Sequence, residues 1–322
     1  MVIIMEFSVE LPYETLFDDK ELYKAAEQGI RYISAPFELI ESEPKKVIKE
    51  RAAAIASAGI KVDTSHPRFG QYNSQNSLVN QYALQRKQYL EQLKDGIDRM
   101  SLLGVRVTTL HTGGSCLPAA PDWAWELCAE SVRELEEAAK DSGIVIVIEN
   151  TFYRMPQCWD GAYAASDAAN NAMPAQSSNV VYDDINKICK LIDGIDSPNV
   201  KSCFDAGHAH YLGDLAADHE MMGKRIHLYH LHDNARNNDM HLAPGYGTLN
   251  WEALGKLIAN NKTASPAYIE ASPWMLGSHA LMIRQTKALV NGGRQGEDRR
   301  CMKCGHMILT DDKGQFCGCG SC

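Results

Sequence analysis

Short apolar runs alternate eight times with longer amphipathic ones over about 290 residues, and few architectures accept that rhythm. The segments 4–11, 31–36, 60–65, 105–111, 144–149, 200–205, 226–232 and 267–271 read as strands. Between them, 19–29, 45–58, 80–103, 123–142, 181–193 and 250–261 carry Ala/Leu stripes with polar outer faces, the pattern of helices packed on one side. Gly29, Gly59, Gly104 and Gly143 each fall just past a helical stretch and shortly before a strand, where a chain turning back from a helix favours glycine. Eight such units predict a (β/α)8 barrel over residues 1–290 rather than an open sheet. The total length of 322 residues does not by itself choose between one large domain and two ordinary ones.

Four of the strand-like runs end in a metal-binding type of residue. They are IVIVIE, closing on Glu149; VKSCFD, closing on Asp205; RIHLYH, closing on His230; and AYIE, closing on Glu270. In a parallel barrel the C-terminal strand ends carry the active site, and two Glu, one Asp and one His form a divalent-metal ligand set. His66 and His111 end two further strands, His208 follows Asp205 by three residues, and Asp239 and His241 form a D-x-H pair after the seventh strand. Each has an ordinary structural explanation when taken singly: a core histidine, or a carboxylate capping the next helix. Their convergence on one barrel face favours a cation, because burying several carboxylates together without one is costly.

One connection, 151–180, is about 30 residues long with little periodicity. It follows the strand bearing Glu149, so it is expected over the barrel mouth as a lid or as a surface insertion. Tyr153, Trp159 and Tyr163 favour the lid, because aromatic rings supply contact area for a substrate.

Charge and cysteine usage narrow the class further. A formal net charge of −9 does not favour broad nucleic-acid binding. The apolar start MVIIMEFSVELP reads as a first strand, and no run is long enough for a membrane span. Five cysteines lie singly between Cys116 and Cys203, as in a reduced cytoplasmic protein; the other five crowd into the last 22 residues. After the polar linker 291–300, Cys301-x2-Cys304 and Cys319-x2-Cys322 have zinc-ribbon spacing, which predicts a structural zinc in a tail module, 301–322. Cys317 and His306 compete as ligands, and a redox dithiol is the alternative for either pair. Such a tail is too small to fold on core burial alone, and it offers a surface for homo-oligomer contact or partner docking.

The stretches IENT (148–151), CFDAGHAHYLGDL (203–215), HLHDN (230–234), DMHLAPGYGTLNW (239–251) and IEAS (269–272) together resemble the xylose isomerase-like TIM barrel superfamily. Within it they are most similar to the sugar phosphate isomerase/epimerase group, over roughly residues 4–290. The resemblance implies a divalent cation (manganese or zinc, with magnesium a further candidate) on Glu149, Asp205, His230 and Glu270. It also implies proton transfer through a metal-stabilised enediolate by Glu149 and Glu270. His208 and Arg236 would hold a sugar-like substrate, with Trp159 of the long loop beside them.

The same superfamily contains zinc-dependent apurinic/apyrimidinic endonucleases, and their three-ion pattern can be traced here as well. One ion would take His66, His111 and Glu149; a second Glu149, Asp205, His230 and Glu270; the third His208, Asp239 and His241. The acidic balance and the opening SVELPYETL, which lacks a Gly/Ser-rich segment, weigh against that reaction. A third reading is a catalytically inactive barrel acting as a binding protein, against which the intact ligand set stands.

Overall fold

The computed structural model describes residues 5–66, 78–80, 82–112, 122–154, 180–182, 184–261, 263, 265–271, 276–292, 301, 308–311 and 314–317. Eight parallel strands close into a barrel: β1 (Phe7–Glu10), β2 (Tyr32–Ala35), β3 (Lys61–Ser65), β4 (Val107–Leu110), β5 (Val145–Glu149), β8 (Val200–Asp205), β9 (Ile226–Leu231) and β10 (Ala267–Ile269). They neighbour one another in that order, and β10 returns to β1. All eight lie within the runs expected from sequence. Two further strands, β6 (Phe152–Arg154) and β7 (Val180–Tyr182), pair antiparallel outside the barrel at the two ends of the long connection. The stretch between them, with Trp159 and Tyr163, lies outside the described residues.

The helices are α1 (Asp19–Glu27), α2 (Phe37–Glu41), α3 (Lys45–Ser57), α4 (Ala83–Leu103), α5 (Asp122–Lys140), α6 (Ile185–Ile195), α7 (Ala206–Leu212), α8 (Leu215–Met222), α9 (Trp251–Asn260) and α10 (His279–Val290). Side-chain caps fix several starts: Asp18, Asp184, Asp214, Asn250 and Ser278 each accept an amide of the first turn. The glycine stops hold as well, since Gly29, Gly59, Gly104 and Gly143 all have φ between +67° and +94°. Helix α6 begins four residues later than its apolar pattern suggests, because the chain at Val180–Tyr182 is strand.

Burial sorts the strand residues into two layers. Ile33, Ile146, Ile148, Phe204 and Tyr229 belong to the large core shared with Leu22, Ile48, Leu93, Leu135, Ile188 and Leu254 of the helices. Val107, Val147, Cys203 and Leu228 form a separate small cluster inside the barrel. A strand alternates faces with period two, so the residues two beyond these, Thr109, Glu149, Asp205 and His230, lie on the same inner face nearer the C-terminal mouth. The apolar plug thus forms the floor of a polar site. Among the described residues, no helix is long and apolar enough to cross a membrane.

In the tail, β11 (Leu309–Asp311) and β12 (Gly314–Phe316) form an antiparallel hairpin. Cys301 is buried and not disulfide-bonded. Cys317 is buried and disulfide-bonded, where the sequence reading favoured thiolates over disulfides. Cys304, Cys319 and Cys322 lie outside the described residues.

Candidate metal centre

Register brings the strand-terminal residues together. Asp205 of β8 pairs with His230 of β9, His230 pairs with Tyr268 of β10, and Glu149 pairs with Cys203. His230 Nδ1 lies 2.7 Å from Glu149 Oε1 and 2.9 Å from Glu270 Oε2, with Asp205 Oδ2 at 3.9 Å. Ligand atoms of Glu149, Asp205, His230 and Glu270 all lie within 4.8 Å of one another. His66 joins this group, with Nε2 3.7 Å from Glu149 Oε2 and Nδ1 3.5 Å from Glu270 Oε1. His111 Nε2 donates to Glu149 Oε2 at 2.8 Å.

A second cluster adjoins the first. His208, Asp239, His241 and His232 also bring ligand atoms within 4.8 Å of one another. His208 Nε2 is 3.5 Å from Asp239 Oδ2, and His241 Nε2 is 2.8 Å from the same oxygen. His232 stacks on His241 with centroids 4.1 Å apart, and its Nε2 is 3.2 Å from Asp205 Oδ1. Asp205 therefore borders both clusters, and it also caps α7 by accepting the His208 amide at 2.6 Å. The capping and metal-binding explanations of this carboxylate hold together.

His232 is the site residue that sequence reasoning missed. It lies two positions beyond His230, where strand periodicity returns a side chain to the same face, so the signal was present in HLHDN. Phe152 was missed too; its ring meets His208 edge-on at 5.2 Å. Arg236 is an exposed residue with φ of +61°, its amide bonded to Asn234 Oδ1 at 3.0 Å. His241 also has positive φ, +45°. Left-handed backbone is unfavourable for both residue types and needs surrounding support. Asp233 supplies it. Its buried carboxylate accepts from the amides of Asn234, Gly245 and Leu249 and from Trp251 Nε1, at 2.8 to 3.0 Å. An antiparallel bridge between Asp233 and Leu242 closes the same loop. Asn150 ties β5 to β8, accepting the Asp205 amide at 2.7 Å and donating to its carbonyl at 3.0 Å.

The electrostatics fit a cation. Burial opposes ionisation of Glu149 and Glu270, yet the His230 charge, with His111 on the first and His66 on the second, holds both well below the usual carboxylate range. Burial likewise opposes charge on Asp239, and His208 and His232 outweigh it. Burial disfavours the imidazolium of His208 and His241, but Asp205 and Asp239 raise the first well above normal, and Asp239 pushes the second up to about 10. For His111 burial prevails over Glu149 and lowers the pKa, which keeps the ring neutral. Several buried atoms here have no hydrogen-bond partner: Asp205 Oδ2, Asp239 Oδ1, His66 Nε2 and His232 Nδ1. Unsatisfied lone pairs converging from four chain segments are the arrangement a divalent ion would complete.

Known proteins share this frame. The 3-keto-D-glucoside 4-epimerase of E. coli superposes with a TM-score of 0.61 at 16% identity, covering 82% of this chain and 90% of that one. A D-tagatose 3-epimerase-like protein superposes with a TM-score of 0.62 at 19% identity, covering 88% and 94%. The uncharacterized protein y4fM of Sinorhizobium fredii is 31% identical over 106 residues, which are 30% of this chain. The match spans about a third of that relative's length, 34%. At such identities the superpositions establish the fold. A sequence profile of the family covers most of the chain, residues 22–280, and the protein belongs to the xylose isomerase-like TIM barrel family.

Proposed function

We propose that the protein is a divalent-metal-dependent epimerase or isomerase of a sugar or related polyhydroxylated carbonyl compound. The observation that carries this reading is the convergence of Glu149, Asp205, His230 and Glu270, with an unpartnered oxygen on Asp205, at the open end of the barrel. The folds of the two epimerase-type structures support the substrate class. A bound Mn2+ or Zn2+ would supply Lewis-acid polarisation of the substrate carbonyl, and Mg2+ is a harder third choice for a site that includes imidazole.

The chain's own residues carry the proton. Glu149 is fully buried and ionised, and Glu270 is the more accessible of the two, with a side chain 19% exposed. One removes a proton from the carbon beside the carbonyl and the other returns one, from the opposite face for epimerisation. His208, held at Nδ1 by the Asn150 carbonyl at 2.9 Å, directs Nε2 towards Asp239 and so borders both the substrate space and the second cluster. Arg236 and Trp159 complete the substrate-holding assignment. Glu149→Gln and Glu270→Gln are each expected to cut exchange of solvent deuterium into a ketose or 3-keto-glycoside substrate by at least about 100-fold. Undiminished exchange in both variants would rule out the two-glutamate scheme.

A second reading, multi-metal phosphodiester hydrolysis, is favoured by one observation: the four-residue cluster of His208, His232, Asp239 and His241. Metal analysis after loading, combined with nicking of an abasic duplex, separates the two reactions. More than one barrel ion with nicking supports the hydrolase, and exchange without nicking supports the epimerase. Structural zinc on Cys301, Cys304, Cys319 and Cys322 belongs to the same proposal. It predicts that the last 25 or so residues become protease-sensitive in reduced, zinc-free protein while the barrel stays intact.

A further inference from the structure

We infer that Thr109 is a positioning residue whose hydroxyl orients the His230 imidazole and fixes which nitrogen meets the cation. The inference rests on the metal reading above and concerns how this chain prepares one ligand. His230 is buried with its two nitrogens in different surroundings. Nδ1 faces the carboxylate layer, 2.7 Å from Glu149 Oε1 and 2.9 Å from Glu270 Oε2. Nε2 points into the barrel, 3.3 Å from Thr109 Oγ1.

A neutral imidazole carries one proton, so Nδ1 offers a lone pair only when Nε2 holds the hydrogen. In the closed barrel that N–H must find an acceptor, since an unpaired buried donor is costly. The neighbouring inner layer consists of Val107, Val147, Leu228 and Cys203. Cys203 contacts the same ring, but a thiol is a weak acceptor. The Tyr268 ring meets His230 edge-on at 5.2 Å, which fixes the ring plane without touching the tautomer choice. That leaves the Thr109 hydroxyl as the stronger acceptor beneath His230 among the described residues.

The hydroxyl accepts from Nε2–H when Nδ1 becomes a ligand. Groups that orient a ligating histidine in this way typically change metal affinity by one to two orders of magnitude when removed.

Direct Mn2+ titration of the full chain, followed by electron paramagnetic resonance of free Mn2+, tests the assignment. Thr109→Val keeps the shape and removes the acceptor; it is expected to bind Mn2+ about 10- to 100-fold more weakly than wild type. Thr109→Ser retains the hydroxyl and is expected to stay within about threefold. Metal-free T109V is expected to lose some urea stability with its acceptor, so Mn2+ affinity is compared without denaturant on protein shown fully folded by circular dichroism, where a merely structural role leaves the affinity unchanged. Equal Mn2+ affinity of T109V and wild type would overturn the inference, as would equal weakening in T109V and T109S. Should T109V fail to fold, 15N-histidine spectra of zinc-loaded wild type decide: a protonated Nε2 on His230 supports the assignment, and a zinc-bound Nε2 overturns it. A wild-type chain that takes up no divalent ion would instead defeat the metal reading itself, and this inference with it.

Discussion

Gly207, the second residue of α7, has no room for a side chain: a Cβ there would lie 2.0 Å from Cε1 of His232. Its carbonyl also accepts from Asn234 Nδ2 at 2.8 Å, so helix and loop are held at close range around that ring. Gly207→Ala is expected to displace His232 and destabilise the fold by about 1–3 kcal/mol in urea denaturation. Gly194→Ala is the control, because that glycine is exposed on the outer face of α6 with nothing near its Cβ position. It should be neutral or gain up to about 1 kcal/mol. Equal costs at the two positions would remove the steric argument. At this scale the sequence was legible where the clustered side chains end strands, because burial of a carboxylate or imidazole at that point is visible as a break in an apolar run. His232 escaped although it lies inside the expected strand 226–232, because His230 was taken as that strand's terminal residue and the histidine two positions on, one past the end of β9, was not weighed.

At the scale of elements, α8 is tied to β9 through His219 and Tyr229. The His219 Nε2 and the Tyr229 hydroxyl are 2.9 Å apart, the rings are stacked, and the hydroxyl donates to the Asn261 carbonyl at 3.0 Å. The tyrosine proton is committed to Asn261, so His219 donates to the tyrosine oxygen and the ring is neutral. Burial lowers the His219 pKa from 6.5 to about 4. The unfolded chain therefore takes up the proton first as pH falls. The stability associated with the neutral ring is present above about pH 6.5 and is lost progressively down to about pH 4. The loss amounts to roughly 2–3 kcal/mol. In His219→Gln that part of the acid slope should disappear in denaturant midpoints measured from pH 7 to 4. An unchanged slope would show that the ring is not the titrating group.

Element prediction succeeded where one face is buried and failed where periodicity carries no information. Ala206 to His210 of α7 are all buried, so this helix has no polar face to betray it. Helix α2 is five residues long, and β6 and β7 are three each, too short for any pattern to declare itself.

For the whole molecule, the closed sheet was readable because eight strand–helix alternations with glycine stops leave little alternative to a barrel. Which clusters form at its mouth depends on register and on the loop anchored by Asp233, and neither is written in periodicity. The barrel concentrates Glu149, Asp205, Asp239 and Glu270 at one end, so a divalent ion should stabilise the native state over the unfolded one. At about 100 times the dissociation constant the gain is about 2.7 kcal/mol, which raises the midpoint of thermal unfolding by roughly 4 °C. Asp205→Asn should abolish most of that rise in scanning calorimetry with Mn2+; an equal rise in variant and wild type would place the ion elsewhere.

Anomalous diffraction at the manganese edge from crystals soaked in Mn2+ locates the ion outright. The account predicts a peak about 2.0–2.3 Å from carboxylate oxygens of Glu149, Asp205 and Glu270 and from Nδ1 of His230. Saturating Mn2+ with no peak among these four residues would contradict it.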